Sequence, residues 1–283
     1  MLTGDLVELV RAPAALTVPG DVLAGAVAAG DLRPRRAAGL AASSVCLYWA
    51  GMALNDWADR DVDAVERPER PIPSGRVPER TALAVAVGLT ATALGLAGVA
   101  GGRPALCTSA ALAVTAWSYD LGAKNTPAGP VVMAAARSLD VLVGAGSARR
   151  KARAPALAVG AHVIGITAMS RGEVHGATAR PARAALAVTS AITVGTVAGT
   201  RGVPGLVTAG LSALFAGSVA PAQLAATNEP TAGRLRAAVG AGIHGLVPLQ
   251  AAWCARGGKP AVGAGLVAAL PLARALARKV SPT

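Results

Sequence analysis

The chain has 283 residues, of which 53% are hydrophobic; 34 are glycine and 19 proline, but only four are tryptophan, two tyrosine and one phenylalanine. Long apolar stretches of this composition indicate an integral membrane protein with several helices rather than a soluble globule. The 27 Lys and Arg against 15 Asp and Glu give a net charge of +12. These basic residues lie between apolar segments, where lipid headgroups and anionic substrates are found, and no basic groove interleaved with aromatic residues favours nucleic acid.

Ten apolar segments predict one all-α polytopic membrane domain over residues 1–283. Its abundant Ala, Gly, Val and Leu favour helices packed closely through small residues. A small excess of Lys and Arg on the side that holds the termini predicts that this side faces the cytoplasm. The predicted helices span about 13–30, 36–57, 81–101, 104–119, 128–147, 154–169, 182–200, 203–220, 235–256 and 260–277.

Asp21 lies inside the first predicted helix, shortly after Pro19 and Gly20. An aspartate at that depth is costly unless it faces a polar cavity, so Asp21 is a candidate for lining a substrate chamber. A role at the start of the helix is the alternative.

The densest block of charge, residues 55–63, directly follows an apolar segment. If the helix continues through it, Asp56, Asp59 and Asp63 fall within roughly 60° of one another. Carboxylates that converge at a membrane edge repel one another without a cation, and hard oxygen ligands select Mg²⁺ together with substrate phosphate. The block therefore predicts a magnesium and diphosphate site, with a solvated acidic loop as the alternative.

Arginines and prolines follow in residues 66–75. Arg67 and Arg70 suit phosphate because a guanidinium offers planar, paired donors; the alternative is that they only set the membrane topology. The order Asn-Asp-x-x-Asp-x-x-x-Asp from Asn55, followed by Arg-Pro-x-Pro-Ser-Gly, resembles the first aspartate-rich motif of the UbiA-type membrane prenyltransferases.

The resemblance implies a bundle of about nine transmembrane helices around a central cavity, and the ten segments found here leave a tenth span possible. The motif would lie between the second and third transmembrane helices. There it would bind Mg²⁺ and the diphosphate of an isoprenoid donor, with Asn55 orienting the aspartates.

A second segment, residues 117–127, ends the fourth predicted helix. It resembles the part of the next catalytic loop in which that family carries a tyrosine and a lysine, here Tyr119 and Lys124. The resemblance implies that the lysine contacts the diphosphate, where a positive charge favours the leaving group. A lysine that only sets the topology is the alternative.

Arg137 and Asp140 lie three residues apart inside the fifth predicted helix. Side chains at this spacing share a helix face, and charged groups at membrane depth face protein rather than lipid. The family has an arginine at a comparable place, so we expect Arg137 to support the wall of the active site.

The chain departs from the family after the sixth predicted helix, where the family usually carries a second aspartate-rich motif. Residues 169–178 retain one carboxylate, Glu173, with His175 two residues further on. This pattern resembles a divergent bacterial branch typified by the EboC-like proteins. Glu173 is a candidate metal ligand or proton acceptor and His175 a candidate base or ligand; loss of the two-metal chemistry is the alternative.

Together these features predict a Mg²⁺-dependent prenyltransferase in the inner membrane of a bacterium, in contact with membrane lipids. It would move a prenyl group from an isoprenyl diphosphate to a small lipophilic acceptor. A membrane protein that binds or transports a prenyl-lipid without catalysis is the rival prediction, favoured by the missing second motif and opposed by the intact first one.

Overall fold

A computed structural model describes residues 3–173 and 176–280, and within these ranges every regular element is helical. The α-helices are α1 (Thr3–Leu9), α2 (Pro19–Ala29), α3 (Pro34–Ala58), α4 (Arg60–Glu66), α5 (Glu79–Leu121), α6 (Gly129–Ala145), α7 (Arg153–Ser170), α8 (Ala179–Val197), α9 (Gly202–Asn228), α10 (Ala232–Arg256) and α11 (Pro260–Val280). The prediction of an all-α membrane protein is confirmed.

Five helices are long and apolar enough to cross a membrane among the residues described. A helix of 25 residues, such as α3, is about 37 Å long at 1.5 Å per residue, which exceeds the hydrocarbon core of a bilayer. The two ends of α3 therefore lie in opposite headgroup regions. The five helices are α3, α5, α6 extended to Ala148, α9 and α10.

The chain reverses direction inside α5, at Gly102. This residue has φ 68° and ψ −167°, a conformation that favours glycine, and Pro104 follows it. The two arms lie side by side, because Trp117 Nε1 donates a hydrogen bond to Thr90 Oγ1 at 3.2 Å. The arms correspond to the helices predicted at 81–101 and 104–119.

The start of the first predicted helix is different in the structure. Residues 12–17 form a 3₁₀ turn, and α2 begins only at Pro19. Proline is well suited to the first turn of a helix, where its missing N–H has no partner to lose. The segment predicted at 13–30 is therefore divided, and Asp21 lies in the first turn of α2.

Backbone contacts place α2 tightly against α6. A Cβ built on Gly25 would lie 1.8 Å from the Val141 carbonyl oxygen, and one built on Gly144 would lie 2.0 Å from the Val22 carbonyl oxygen. Neither position has room for a side chain, so small residues set the distance between these helices. This packing holds the buried carboxylate of Asp21 between α6 and α10.

The connections between helices collect at two ends of the bundle. At one end, here called the motif end, Lys124 contacts Asp59, Arg171 donates to the Thr126 carbonyl, and the Ala177 amide donates to Pro230. At the other, the basic end, Arg36 donates to the Gly144 carbonyl and Arg149 to the Pro104 carbonyl. These contacts place the ends of α3 and α6 at opposite ends of the bundle, and α5 starts and finishes at the motif end because it reverses at Gly102 near the basic end.

Candidate active site

The acidic block lies where α3 ends and α4 begins. Asp59 separates the two helices with φ −93° and ψ 2°, although the ladder continues through the bonds Asp59 N to Asn55 O and Asp63 N to Asp59 O. The continuous helix considered from the sequence is therefore interrupted at its middle aspartate. Asp61 points into solvent with 86% of its side chain exposed, whereas Asp56 and Asp63 are buried.

Arg70 joins the two buried carboxylates. Its Nη1 lies 2.5 Å from Asp63 Oδ2 and 3.3 Å from Asp56 Oδ1, and the two carboxylates are only 2% and 5% exposed. Arg67 adds a longer contact of 3.4 Å to Asp63 Oδ1. The arginines predicted to bind phosphate therefore lie directly against the predicted metal ligands.

Arg11 completes this cluster from the N-terminal segment, and the sequence analysis did not select it. Its Nη2 donates to Asp56 Oδ1 at 2.8 Å. Its backbone is left-handed, with φ 46° and ψ 50°, and no other non-glycine residue in the described ranges has a positive φ. Such a conformation costs about 1–2 kcal/mol and is found disproportionately at functional sites.

The loop after α4 is joined to α1 by Arg76. Arg76 Nη1 and Nη2 lie 2.7 and 3.0 Å from the two carboxylate oxygens of Glu8. The Glu8 hydrogen bond raises the pKa of the Arg76 guanidinium. This paired contact, together with the prolines of the loop, holds Arg70 beside the aspartates.

The end of α5 meets the acidic block from the other side. Lys124 Nζ lies 2.6 Å from Asp59 Oδ1, and Asn55 Nδ2 donates to Asp120 Oδ1 at 3.3 Å. Asp120 is 6% exposed. The sequence analysis did not select Asp120, because it assigned roles in this segment only to Tyr119 and Lys124. Asp120 precedes Lys124 by four residues, and this spacing is the signal that could have identified it.

A partly open cavity of about 120 Å³ lies next to this cluster, between α3, α5 and α6. Tyr119 and Asp120 line it at the motif end, so the charged cluster and the cavity share a wall. Most of the remaining wall is apolar, but four further polar side chains also line it: Ser44, Tyr48, Arg137 and Asp140.

Arg137 and Asp140 both line the cavity, but their partners are on other helices. Arg137 Nη2 lies 2.6 Å from Asp21 Oδ2, and Asp140 accepts a hydrogen bond from Ser44. Asp21 is fully buried and also accepts from Gln250 Nε2 at 2.7 Å. Arg137 Nε has no hydrogen-bond partner in the part of the chain that the structure describes. The predicted polar face is thus a network across α2, α3, α6 and α10.

Glu173 lies in the loop after α7 and is partly buried. Arg236 Nη2 donates to its backbone carbonyl at 3.0 Å. Burial raises the pKa of the Glu173 carboxyl, and the nearby Arg236 guanidinium opposes that shift. Glu173 does not line the cavity, and His175 lies outside the described residues.

The residues that surround the break at Asp59 form an all-oxygen donor set of four carboxylates and one amide, from Asn55, Asp56, Asp59, Asp63 and Asp120. Such donors fit Mg²⁺, which prefers hard oxygen ligands. In the described ranges no three acidic, His or Cys residues are grouped closely enough to hold a metal by themselves, and the carboxylates contact Arg11, Arg70 and Lys124 instead.

A helical bundle with several helices long and apolar enough to cross a membrane defines a multi-pass membrane protein. In this one a charged cluster lies at one end, next to a largely apolar cavity. Comparison with known sequences then places the chain in a family. The model of the UbiA prenyltransferase family matches residues 17–228. The chain belongs to that family.

Individual relatives match shorter stretches. The digeranylgeranylglyceryl phosphate synthase of Natronomonas pharaonis is 44% identical over 90 residues, 31% of this chain and 32% of the relative. The bacteriochlorophyll synthase 33 kDa chain of Cereibacter sphaeroides is 40% identical over 65 residues, 23% of this chain and 22% of the relative. The chain thus spans well under half the length of these curated relatives.

Solved structures match nearly the whole fold. A UbiA homolog from Aeropyrum pernix K1 superposes with a TM-score of 0.70 at 21% identity, covering 84% of this chain and 96% of the homolog. A UbiA homolog from Archaeoglobus fulgidus bound to GPP and Mg²⁺ superposes with a TM-score of 0.63 at 14% identity, covering 91% and 99%. At these identities the likeness establishes the fold.

Proposed function

We propose that the protein is an intramembrane prenyltransferase that uses Mg²⁺ and moves a prenyl group from an isoprenyl diphosphate to a small lipophilic acceptor. One observation carries the proposal. The cluster of carboxylates and cations at the motif end shares Asp120 with the cavity next to it, and the neighbouring Tyr119 also lines that cavity. A diphosphate in the cluster would therefore present its allylic carbon to an apolar chamber.

In this proposal Asp56, Asp59 and Asp63 hold Mg²⁺, with Asn55 and Asp120 supporting them. The bound ion would neutralise the diphosphate and make it a better leaving group. The cations of the cluster, Arg11, Arg67, Arg70 and Lys124, then supply hydrogen bonds to phosphate oxygens. The side-chain nitrogens of Arg11, Arg70 and Lys124 each lie within 2.8 Å of a carboxylate oxygen.

The cavity sets the size of the reacting groups. Its volume of about 120 Å³ is well below the roughly 300–1,000 Å³ of a typical ligand pocket. We propose that it holds the allylic end of the donor and a small acceptor group, while the prenyl tail lies among the helices. The apolar wall excludes water from the allylic carbon, which suppresses hydrolysis.

The polar side of the cavity is proposed to receive the acceptor. Among the described residues Arg137 Nε has no hydrogen-bond partner, so it could donate to an oxygen function of the acceptor. When an O–H or C–H acceptor attacks the allylic carbon, the C–O bond to diphosphate breaks and the acceptor loses a proton. The Asp140 carboxylate lines the cavity, and in this proposal it would accept that proton. Glu173 and His175 stay predictions for the same role.

The rival function is a protein that binds or transports a prenyl diphosphate or related lipid without transfer. It is favoured by the loop at residues 171–178, which contains one carboxylate, Glu173. It predicts Mg²⁺-dependent binding of the donor without release of diphosphate.

Release of inorganic diphosphate tests the proposal. Detergent-purified protein is incubated with a panel of allylic diphosphates and a lipid extract of a bacterial host as the acceptor pool, with Mg²⁺ or with EDTA. We expect release that requires Mg²⁺ and falls at least 100-fold in Asp59→Asn. The matched control Asp61→Asn changes an exposed carboxylate of the same block, and it should keep the wild-type rate.

Equal rates for the two variants would remove Asp59 from the site. Donor binding that requires Mg²⁺, with no diphosphate released from any donor and no prenylated product in the extract, would favour the binding or transport function.

The membrane and orientation are proposed separately: the inner membrane of a bacterium, with the motif end in the cytoplasm. Labelling of single cysteines placed at the two ends in intact cells tests this orientation.

A further inference from the structure

A groove lies at the basic end of the described molecule, opposite the candidate active site. It encloses about 790 Å³ between the start of α3 and the first arm of α5. One wall carries Arg33, Arg35 and Arg36, and the other carries Leu96, Val99 and Ala100. None of these residues has a role in the proposed reaction.

The charge at this end is almost entirely positive. Its connections, residues 30–36, 101–104, 146–153, 198–201 and 256–259, contain eleven arginines and lysines and a single acidic residue, Asp31. At the motif end the arginines are matched by the carboxylates of the acidic block. At the basic end Asp31 alone has this role among these connections, so most of the positive charge there lacks a carboxylate partner in them.

The three arginines of the groove differ in what they contact. Arg36 is 8% exposed and donates to the Gly144 carbonyl at 3.0 Å, so it is part of the packing. Arg33 is 72% exposed and lies 2.7 Å from Asp31 Oδ1. Arg35 is exposed, and no ion pair or hydrogen bond of its side chain is found within the described ranges. Two guanidiniums are therefore accessible, and that of Arg35 has no partner among the described residues.

The Asp31 carboxylate already pairs with two of the three arginines. It contacts Arg33 at 2.7 Å and Arg36 at 3.5 Å, and the Arg33 hydrogen bond lowers the pKa of the Asp31 carboxyl. It therefore stays ionised and paired. A choline or ethanolamine group that entered the groove would find no free carboxylate, whereas a phosphate would find Arg35.

The second wall belongs to a membrane-spanning arm. Val99 is 90% exposed, and it lies within α5, one of the helices able to cross a membrane. It lies three residues before the reversal at Gly102, so we expect an exposed valine there to face the part of the acyl chains nearest the headgroups. The groove thus joins guanidiniums at the headgroup level to an apolar wall that continues towards the bilayer interior.

We infer that this groove binds an anionic phospholipid, with the phosphate at Arg33 and Arg35 and an acyl chain along Leu96 and Val99. Charge complementarity selects a lipid with net negative charge over a zwitterionic one. The apolar wall selects a lipid over a free phosphate. The inference does not depend on the proposed transferase activity.

Native mass spectrometry of the detergent-solubilised full chain tests it, with phosphatidylglycerol and phosphatidylcholine of identical acyl chains titrated separately. We expect tighter binding of phosphatidylglycerol by the wild-type chain. One arginine near a membrane surface is worth about 1 kcal/mol, which is about a fivefold change. The double variant Arg33→Ala, Arg35→Ala should therefore lose about 25-fold in phosphatidylglycerol affinity and bind phosphatidylcholine almost unchanged.

The matched control is Arg150→Ala, Lys151→Ala, which removes the same charge from exposed positions at the same end but outside the groove. This variant should keep most of the wild-type preference for phosphatidylglycerol over phosphatidylcholine. Equal binding of the two lipids by the wild type would overturn the inference, and so would an equal loss in both double variants, which would indicate diffuse attraction. Glycerol phosphate that competes as well as the lipid would replace the inferred lipid site with a soluble-anion site.

Discussion

Replacing Arg70 by alanine should move the affinities for Mg²⁺ and for the donor in opposite directions. In the free protein, Arg70 Nη1 contacts Asp63 at 2.5 Å and Asp56 at 3.3 Å, so it competes with Mg²⁺ for two proposed ligands. A hydrogen bond to a charged group contributes about 1.5–3 kcal/mol, which corresponds to a factor of about 10–100. Mg²⁺ alone should therefore bind about tenfold or more tightly to Arg70→Ala.

The isoprenyl diphosphate should bind more weakly to the same variant, because one guanidinium is no longer available to its phosphate oxygens. Isothermal titration in detergent measures both affinities, first for Mg²⁺ without donor and then for the donor at saturating Mg²⁺. Arg60→Ala is the matched control, because Arg60 pairs with the exposed Asp61 and with Glu79. An unchanged Mg²⁺ affinity in Arg70→Ala would refute the assignment of Asp56 and Asp63 as metal ligands.

Two further predictions concern stability. Arg137→Met leaves the fully buried Asp21 carboxylate without its 2.6 Å ion pair. We therefore expect the free energy of unfolding, measured thermally or with denaturant, to fall by about 3–5 kcal/mol. Adding Asp21→Asn should restore most of this stability, and no restoration would mean that lost packing dominates. Glu173→Gln should raise the melting temperature at pH 7 but not below pH 4. Burial raises the pKa of Glu173 above its ordinary 4.5, so the native state binds the proton more strongly and loses stability as pH rises through that window. An equal effect at both pH values would contradict this.

The helices and the chain reversal could be predicted because they depend on local sequence. Apolar length defines each spanning segment, and the reversal at Gly102 is marked by two consecutive glycines followed within two residues by Pro104. The split of the first segment was missed because Pro13 and Pro19 both suit a helix start, and only packing determines that α2 begins at Pro19.

The partners of the site residues could not be predicted. Asn55 and Asp120 are 65 positions apart, and Arg11, 45 positions before Asp56, has a left-handed backbone that its sequence does not announce. Spacing within one helix correctly suggested that Arg137 and Asp140 share a face, since both line the cavity. It could not show that each is paired with a different helix, because those contacts depend on how the helices pack.

The pairing at the motif end bears on how substrate would bind. Each cation proposed for phosphate is held by a carboxylate proposed for Mg²⁺: Arg70 by Asp63, and Lys124 by Asp59. Mg²⁺ alone would take the carboxylates and leave the cations without partners, and diphosphate alone would take the cations and leave the carboxylates. Either outcome costs free energy where the unpaired charge is buried. Mg²⁺ and diphosphate together replace both halves of each pair. The proposed site should therefore favour the metal and the donor as a complex, and the same coupling must act on each of them equally.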